Sequence, residues 1–548
     1  MAVADPIPVP PTPLTRPSSN VRAEASFIID SKEKSYKHQY SNIYFMRLHT
    51  LRSYVEKRAK KRWNEVAGNP IFVPRVLDVE KGQLCFIVGT VYMDMPLKPN
   101  VLEDVARDRS IPAPPPRDKF YSDEDTVMLE DESGRICLVG ERIRSACLVT
   151  GVILGALGVE THNGDFEVVD LCYPGMAPQP SAGLEWPAPK HTDDGMDVDG
   201  ASSSYSLPSD EWIALVSGLE IGSANAADGQ IQMLAEYLTG EAGGSDEQAQ
   251  ASRVSRLIIA GNSLGTLSGN ASTLNTESER KPLRQRIQRR YGHDTSSFTP
   301  HPTQNLAAYL TDICRSMPVH LLPGPSDPAA TILPQQPLPR AMFGDASHFA
   351  TFACESNPTY IHLCPSNPSD AQPSSSSRQS QPGASSSKSK ANGKGASAAA
   401  GSGQGTGPSR TILVHSGQPV DDMFKYVPTP PISRMTLAEA TLRWRHMAPT
   451  APDTLWCHPY MKKDPFILTQ TPDLYVVGNQ PAFATRLVRE EESDGEGEEG
   501  GRAAKRCRIV LLPSFRETGT LVLVNARTLA VRKVQFAVQG MNAGGGAT

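Results

Sequence analysis

The second half of the chain repeats one pattern that restricts its fold: a short apolar run followed by glycine and polar residues. Three examples are RLIIAGNSLG, RTILVHSGQ and DLYVVGNQ. Because such a run has no polar residues at alternate positions, it predicts a strand that is buried on both faces of a sheet. Helical patterns such as QIQMLAEYLTG, NLAAYLTDICRSM and MTLAEATLRWRHM separate several of the runs. This alternation predicts a domain in which helices and sheets form layers.

The first half of the chain carries two other patterns. Tyr40, Tyr44, Leu48, Leu51, Val55 and Ala59 recur at three- and four-residue spacing, which predicts an amphipathic helix. Its outer face is basic and is either solvated or in contact with an acidic partner or DNA; the basic residues are Arg52, Lys57, Arg58, Lys60, Lys61 and Arg62. From about residue 70 to 175, short β-rich segments alternate with turns and predict a small closed barrel, most economically an OB-fold. The segment is poor in aromatic residues, so a barrel that docks to protein is favoured over one that binds single-stranded DNA.

Composition divides the chain into segments. The 548 residues include 47 Pro and 43 Gly, a surplus that indicates linkers and low-complexity inserts. The predicted segments are a disordered tail (1–23), an N-terminal helix region (24–66), an OB-fold domain (67–180), a linker (181–209) and a layered domain (210–548). Three inserts in the last domain, at about 265–300, 366–410 and 490–508, are expected to be mobile loops. The basic end of the third insert (Arg502, Lys505, Arg506 and Arg508) is either a charge-compensated surface loop or a nuclear import signal.

Charge and cysteine content exclude several classes of protein. The formal net charge of −5 would repel a phosphate backbone, which disfavours a stand-alone nucleic-acid binder. The nine cysteines are scattered without a C-x-x-C pair, which is typical of core thiols in a reducing compartment. No stretch approaches the roughly 20 apolar residues of a membrane span. We therefore expect a soluble intracellular protein that does not associate with membranes.

One motif formally matches a serine hydrolase. Gly261-Asn262-Ser263-Leu264-Gly265 is a G-x-S-x-G sequence that directly follows the apolar run RLIIA. A nucleophile elbow requires a following helix that packs against the sheet. The sequence that follows, TLSGNASTLNTESER, is polar and has no apolar stripe. The motif therefore does not predict a hydrolase.

The turns that follow the buried runs resemble those of calcineurin-like metallophosphoesterases. That family holds two metal ions with the motifs D-x-H, G-D-x-x-D and G-N-H-D/E, a later histidine and G-H-x-H. The turn glycines are retained here, but the ligands are not; the degenerate positions are Gly218, Glu220, Asn262, Pro325, Ser326, Asp327, His415, Asn479 and Pro481. Asparagine is a weak neutral ligand and proline offers no side-chain donor. The resemblance implies a phosphoesterase scaffold without its metal site, so no cofactor is expected.

A barrel followed by an inactive phosphoesterase domain resembles the B-subunits of eukaryotic replicative DNA polymerases. The runs LPQQPLP, SGQPVDDMFKY and APTAPDTLWCHPY identify the chain as a member of the family of DNA polymerase delta second subunits. This resemblance implies an OB-fold β-barrel packed on a calcineurin-like metallophosphoesterase domain, a β-sheet sandwich with helices. It also implies a nuclear, non-catalytic subunit that acts in DNA replication and repair.

The resemblance further implies protein partners. The expected partners are the carboxy-terminal domain of the catalytic subunit, the amino-terminal domain of the third subunit and, in translesion synthesis, the DNA polymerase zeta catalytic subunit; DNA is contacted only indirectly. Four aromatic residues around the stiff APTAPDT segment are candidates for partner docking or for internal packing: Trp444, Trp456, Tyr460 and Phe466. Two alternatives stay open, an active metal-dependent phosphodiesterase or nuclease and an OB-fold that binds single-stranded DNA.

Overall fold

The computed structural model describes most of the chain outside the predicted inserts. The described residues are 16–17, 19–23, 27–30, 34, 40–66, 68–99, 117–181, 211–223, 227–265, 300–365, 409–490 and 504–537. The predicted insert at 265–300 lies outside these residues, apart from its two ends. Strands and helices are numbered below in chain order.

The predicted amphipathic helix is present as α1 (Ser41–Trp63). One stripe of the helix is buried, and its members are Ile43, Arg47, Leu48, Leu51, Val55, Ala59 and Trp63. Tyr40, which the spacing places in the stripe, precedes the helix and is 46% exposed. The stripe therefore begins at Ile43, and it includes a buried arginine that the apolar pattern does not predict.

The segment after α1 forms the predicted closed barrel. Its strands are β2 (Ile71–Phe72), β3 (Leu84–Asp94), β4 (Thr126–Glu130), β5 (Arg135–Val139), β6 (Ile153–Glu160) and β7 (Phe166–Cys172), with helix α2 (Glu141–Arg144) after β5. The sheet order is β2-β3-β4-β5-β7-β6, and an additional pairing of β3 with β6 closes it. The hairpin between β4 and β5 turns at Asp131, whose carboxylate accepts hydrogen bonds from the Ser133 and Gly134 N–H groups.

The rest of the chain contains two six-stranded sheets. The first sheet has the order β11-β10-β9-β8-β17-β18. Its strands are β8 (Trp212–Val216), β9 (Val254–Ala260), β10 (Val319–Leu322), β11 (Phe352–Cys354), β17 (Thr520–Asn525) and β18 (Val531–Gln535). The second sheet has the order β1-β12-β13-β14-β16-β15. Its strands are β1 (Ser19–Ala23), β12 (Thr359–Pro365), β13 (Arg410–His415), β14 (Leu474–Gln480), β15 (Ala484–Glu490) and β16 (Lys505–Pro513).

These two sheets pack face to face. Alternate residues of their strands share one apolar cluster, which includes Ile213 and Leu215 from β8 and Ile412 and Val414 from β13. The intervening residues of β8, Ala214 and Val216, pack against the helices on the outer face. Both faces of these central strands are therefore buried, which explains the unbroken apolar runs.

Helices cover the outer faces of the sandwich, as the layered pattern predicts. They are α3 (Asp228–Thr239), α4 (Ser245–Ala251), α5 (His301–Ser316), α6 (Gln418–Met423), α7 (Arg434–Trp444) and α8 (Phe515–Thr518). A 3₁₀ segment (Arg340–His348) precedes β11. Helices α3 and α5 lie on the β8–β10 sheet, while α6, α7 and the barrel share a core with the other sheet. No described helix is long and apolar enough to cross a membrane.

The structure corrects three assignments made from composition and pattern. Ser19–Ala23, predicted as disordered tail, is the edge strand β1 and pairs antiparallel with β12. Arg410, placed in the second insert, starts β13, and Lys505–Arg508, placed in the third insert, belong to β16. The run RIVLLP of β16 pairs with β14 and β15, while β17 pairs with β8 and β18. In each case strand pairing across the sheet, which leaves no local sequence signal, decides the outcome.

Arg47 ties the helix and the barrel to the second half of the chain. Its Nε donates to Asp464 Oδ2 at 2.8 Å, and its other nitrogens donate to the carbonyl oxygens of Gly151, Pro449 and Ala451. His446 Nε2 lies 2.8 Å from the same Asp464 oxygen. The Arg47 and Asp464 side chains are completely buried. Although burial opposes ionisation, His446 and Arg47 hold the pKa of Asp464 below its usual value.

Candidate functional site

The turns that carry the degenerate motif positions meet at one end of the sandwich. Strands β8, β9 and β10 are parallel, as are β13, β14 and β16, so their carboxyl ends lie together. The Gly218 N–H donates to the Gly261 carbonyl at 3.0 Å, which joins the turns after β8 and β9. The side-chain nitrogen of Asn479 donates to the Ser416 carbonyl at 2.9 Å, which joins the irregular end of β14 to the turn after β13. We call these converging turns the strand-end cluster; its residues are 217–220, 261–264, 324–327, 357, 416–418 and 478–480.

Close backbone approach explains the retained glycines of this cluster. A Cβ atom on Gly261 would lie 2.5 Å from Ser416 Cβ and 3.1 Å from Gly324 Cα. A Cβ atom on Gly324 would lie 2.4 Å from the Asn262 backbone nitrogen. Gly261 also has φ +86°, a conformation that side chains disfavour. These glycines are therefore needed for packing of the turns, whether or not a metal is bound.

Three residues with side chains adopt the left-handed conformation at the same place. They are Glu220 (φ 47°), Asn262 (φ 55°) and Asn479 (φ 54°). Asparagine tolerates this region because its side chain can bond locally, whereas glutamate does not. The Glu220 carboxylate lies 3.1 Å from the Arg516 guanidinium, and its backbone N–H donates to the Asn262 carbonyl at 2.9 Å. These two contacts hold Glu220 in its unusual conformation.

Asp327, the retained carboxylate of the third motif, binds backbone N–H groups. Its two oxygens accept hydrogen bonds from the N–H groups of Leu264 (2.8 Å), Gly324 (2.8 Å) and Ser263 (3.3 Å). Burial raises the pKa of Asp327 to about 6, an effect that the backbone hydrogen bonds partly oppose. The carboxylate joins the β9 and β10 turns and has little capacity left for a metal ion.

His415 likewise has both ring nitrogens in hydrogen bonds with its neighbours. Its Nδ1 accepts a hydrogen bond from the Gly417 N–H at 3.0 Å, so its Nε2 carries the proton that faces the Tyr475 hydroxyl at 3.0 Å. Complete burial lowers the pKa of His415 to about 3. The side chain is therefore a neutral, structural histidine whose two ring nitrogens are both engaged.

Side-chain amides and hydroxyls connect the turns. Asn262 Oδ1 accepts from the Ser326 N–H at 3.1 Å, and the Asn479 N–H donates to the Ser217 hydroxyl at 2.9 Å. The amide nitrogen of Asn357 donates to Gln335 Oε1, Ser416 Oγ and Gln418 Oε1 at 2.6 to 2.8 Å. Gln335 in turn donates to the Gly324 carbonyl at 3.3 Å. Neutral hydrogen bonds of amides and hydroxyls therefore add to the contacts of Glu220 and Asp327 in holding the strand-end cluster together.

The residues present do not fit a dinuclear metal centre. Within the described ranges, no group of three or more histidine, cysteine, aspartate or glutamate side chains could hold a metal ion. Of the remaining predicted positions, Pro325 and Pro481 are exposed at the rim and supply no donor. The Ser263 hydroxyl of the G-x-S-x-G sequence is buried, and no described residue accepts or donates a hydrogen bond to it.

Sequence reasoning predicted the turns but missed several residues that complete the cluster. Asn357 belongs to no predicted motif, and Gln335, Ser416 and Gln418 lie in the runs LPQQPLP and SGQPVDDMFKY, which indicated the family and not a role in this cluster. The available signal was the unusual run LPQQPLP and the polar SNP sequence that precedes β12, since both place polar side chains next to buried segments. Their pairing with each other depends on chain crossings that no local pattern reveals.

The four aromatic candidates for docking have different environments. Trp444 and Phe466 are 2% and 0% exposed and belong to the core shared with the barrel, so internal packing is the alternative that the structure favours for them. Tyr460 is partly buried against His458 and Phe466. Trp456 is 64% exposed, while its backbone carbonyl accepts a hydrogen bond from the Leu333 N–H at 2.9 Å. Of the four, Trp456 is the one whose side chain is available to a partner.

Much of the basic face of α1 is neutralised within the chain. Arg52 pairs with Glu132 at 3.1 Å, Arg58 with Glu490 at 2.8 Å, and Arg62 with Asp170 at 2.8 Å. Lys60 lies over the Phe72 ring. These contacts attach the helix to the barrel and to β15, and they reduce the positive field that a phosphate backbone would meet.

Two family models match the chain in order. The model for the DNA polymerase delta subunit OB-fold domain matches residues 39–171, which include α1 and the closed barrel. The model for the B-subunit of DNA polymerases alpha and epsilon matches residues 213–367 and 408–485, which include most of the sandwich and the strand-end cluster. The barrel predicted from the turn and strand pattern is thus confirmed as an OB-fold.

Full-length relatives give the same result. The chain is 33% identical over 508 residues to the DNA polymerase delta small subunit of Arabidopsis thaliana, with 93% of each chain covered. It is 32% identical to the DNA polymerase delta small subunit of Oryza sativa (92% of this chain, 94% of the relative). It is 31% identical to that of Saccharomyces cerevisiae (92% of this chain, 91% of the relative).

Proposed function

The chain belongs to the family of DNA polymerase delta small subunits, and from that premise we propose that it is a non-catalytic scaffold subunit of a nuclear DNA polymerase delta complex. In this role it holds other subunits together during DNA replication and repair. The observation that carries the proposal is the strand-end cluster, where amides, hydroxyls and prolines stand at the positions that a metal-dependent enzyme fills with ligands. The net charge of −5 is consistent with a protein that binds other proteins and leaves DNA to its partners.

The sandwich is best interpreted as a calcineurin-like phosphoesterase fold that has lost its chemistry. Two facing sheets with helices on their outer faces and motif turns at one end support this interpretation. Asn262 and Asn479, two of the degenerate motif positions, both adopt the left-handed conformation in turns at this end of the sandwich. In this interpretation an OB-fold spans 67–180 and an inactive phosphoesterase-like domain spans 210–548, to which β1 (Ser19–Ala23) adds an edge strand.

The partners of this scaffold follow from the family. We propose that the chain binds the carboxy-terminal domain of the catalytic subunit and the amino-terminal domain of the third subunit. A shared role with the DNA polymerase zeta catalytic subunit in translesion synthesis is part of the same proposal. The hydrogen bonds among Arg47, Asp464 and His446 connect α1, the barrel and the sandwich. Because these elements are fixed to one another, they offer the partners a rigid surface.

Co-expression tests the scaffold function directly. The full chain, co-expressed with the carboxy-terminal domain of the catalytic subunit, is expected to co-elute with it in size-exclusion chromatography at micromolar concentration. A Trp456→Ala variant tests whether the exposed Trp456 ring contributes to this binding. A Met233→Ala variant is its control, because Met233 is an exposed apolar residue on α3. Separate elution of the wild-type proteins would contradict the proposal.

The loss of chemistry is tested by metal binding and turnover. The purified chain is expected to bind no stoichiometric Mn²⁺ in isothermal titration calorimetry and to hydrolyse no bis-(p-nitrophenyl) phosphate above the buffer rate, because the amides and prolines supply no anionic ligands. An Asn262→Ala variant is the control for trace contamination. Turnover by wild type that disappears in this variant would show that the site is active.

A further inference from the structure

A groove of about 720 Å³ lies where the barrel meets the α6–α7 connection. Its barrel wall includes Val127, Leu138, Ile143 and Leu148, and its opposite wall includes Val427 and Ile432. We call it the junction groove. Its volume falls within the range of sites that hold a small ligand or a few side chains of a peptide. It is separate from the strand-end cluster, with which it shares no lining residue.

The two walls of the junction groove are fixed to each other. The N–H groups of Phe120 and Tyr121 donate to the Lys425 carbonyl at 2.8 and 3.2 Å. Lys119 Nζ donates to the carbonyl oxygens of Phe424 and Val427. The Phe120 and Tyr426 rings make an edge-to-face contact with centroids 5.7 Å apart. The groove is therefore preformed, and a ligand need not order its walls on binding.

The mouth of the junction groove is acidic. Asp123 and Asp125 line it, and Glu124 between them is exposed. Neither Asp123 nor Asp125 forms an ion pair with a residue in the described part of the chain. Burial, together with the negative charges of Asp123 and Asp94, raises the pKa of Asp125. Arg144 is the single cation among the described lining residues, so the groove combines an apolar floor with uncompensated carboxylates.

We infer that the junction groove binds a segment of a partner protein in which apolar side chains stand next to lysine or arginine; this inference rests on the proposed scaffold function. The apolar side chains would fill the floor between Ile143 and Ile432. The cations would pair with Asp123 and Asp125, which removes the repulsion between these carboxylates. An acidic segment, or a nucleic acid, would meet repulsion at the same mouth.

Fluorescence anisotropy with the full chain tests the inference. The probe is a fluorescein-labelled peptide in which Leu-Pro-Leu is flanked by two lysines on each side. Two matched probes carry glutamate for lysine or serine for leucine. The basic apolar probe is expected to bind, and its affinity is expected to fall with added salt; both matched probes are expected to bind at least tenfold more weakly.

Two variants locate the binding. Asp123→Lys combined with Asp125→Lys, and separately Ile432→Glu, are each expected to weaken the basic probe at least tenfold. Asp246→Lys combined with Asp345→Lys is the matched control, because these exposed carboxylates do not line the groove, and it should bind as wild type does. No binding of the basic probe, or equal weakening by the control variant, would overturn the inference.

A crosslinking experiment in the assembled complex gives an independent result. A benzoylphenylalanine at position 121, where Tyr121 lies at the mouth of the groove and is 37% exposed, is expected to crosslink a segment of a partner protein that contains lysine or arginine beside apolar residues. A crosslink to an acidic segment, or none, would count against the groove. If the wild-type subunits co-elute but these tests fail, the groove is excluded while the scaffold function stands.

Discussion

At the scale of single residues, Arg47 is the buried side chain that the apolar pattern of the sequence does not predict. Arg47 lies four residues after Ile43 and four before Leu51, so it occupies the buried stripe of α1. Burying a guanidinium is costly unless its charge and donors are all satisfied. Here Asp464 supplies the charge and three carbonyl oxygens accept the remaining bonds. Burial and the positive charge of Arg47 lower the pKa of His446 to about 4, so His446 remains neutral.

Replacing Arg47 should therefore destabilise the whole molecule. Arg47→Met keeps the length of the side chain but leaves Asp464 as a buried carboxylate whose remaining side-chain partner is the hydrogen bond with His446. We expect the free energy of unfolding to fall by about 3 to 5 kcal/mol, measured by urea denaturation. Arg62→Met is the control, because Arg62 is half exposed and its surface pair with Asp170 should contribute less than about 1 kcal/mol. Equal effects of the two substitutions would show that the buried contacts of Arg47 contribute no more to stability than the surface ion pair of Arg62.

Single residues also show which parts of the site could be predicted from the sequence and which could not. Asn262 and Asn479 could be located because each follows an apolar run and a glycine. The amides that connect the other turns could not, because Gln335 and Asn357 come from irregular segments whose positions depend on the order of strands in two sheets. Trp444 and Phe466 show the same limitation, since an aromatic residue near a proline-rich loop has the same local sequence whether it packs inward or outward.

At the scale of elements, the central strands were predictable and the outer ones were not. Strands β8, β9, β13 and β14 are buried on both faces and therefore have unbroken apolar runs. Strand β1 has the sequence SNVRA, which carries no such run. It forms because the edge of β12 offers unpaired backbone groups, and because its neighbours anchor it. Arg16 donates to the carbonyl oxygens of Ala251 and Val254, and Arg256 donates to the Ser19 carbonyl at 2.7 Å.

Removal of β1 is expected to be destabilising, contrary to the behaviour of a disordered tail. A chain that starts at residue 24 loses five residues of strand pairing and leaves the buried Arg256 without the Ser19 carbonyl as its acceptor. We expect the free energy of unfolding to fall by about 2 to 4 kcal/mol in urea denaturation. A chain that starts at residue 15 keeps Arg16 and β1 and should match the full chain. Equal stability of the two shortened chains would show that β1 contributes nothing.

At the scale of the whole molecule, the distribution of charge argues against direct binding of single-stranded DNA. The OB-fold and the basic helix α1 together would suit such a ligand. However, Arg58 and Arg62 are paired with Glu490 and Asp170, and Asp170 also pairs with Arg142. The cations therefore serve to attach α1 to the barrel and the sandwich, and the chain as a whole is negative.

A DNA-binding assay on the full chain tests this distribution. We expect a 25-nucleotide single strand to bind no more tightly than about 10 µM at 0.15 M salt, within the range of non-specific binding. Asp170→Asn combined with Glu490→Gln releases Arg58, Arg62 and Arg142 without adding a cation, and is expected to tighten binding severalfold and to steepen its salt dependence. A submicromolar dissociation constant for the wild-type chain, with a steep salt dependence, would contradict this expectation. It would show that the barrel is a DNA-binding module and that the internal ion pairs do not mask the basic face.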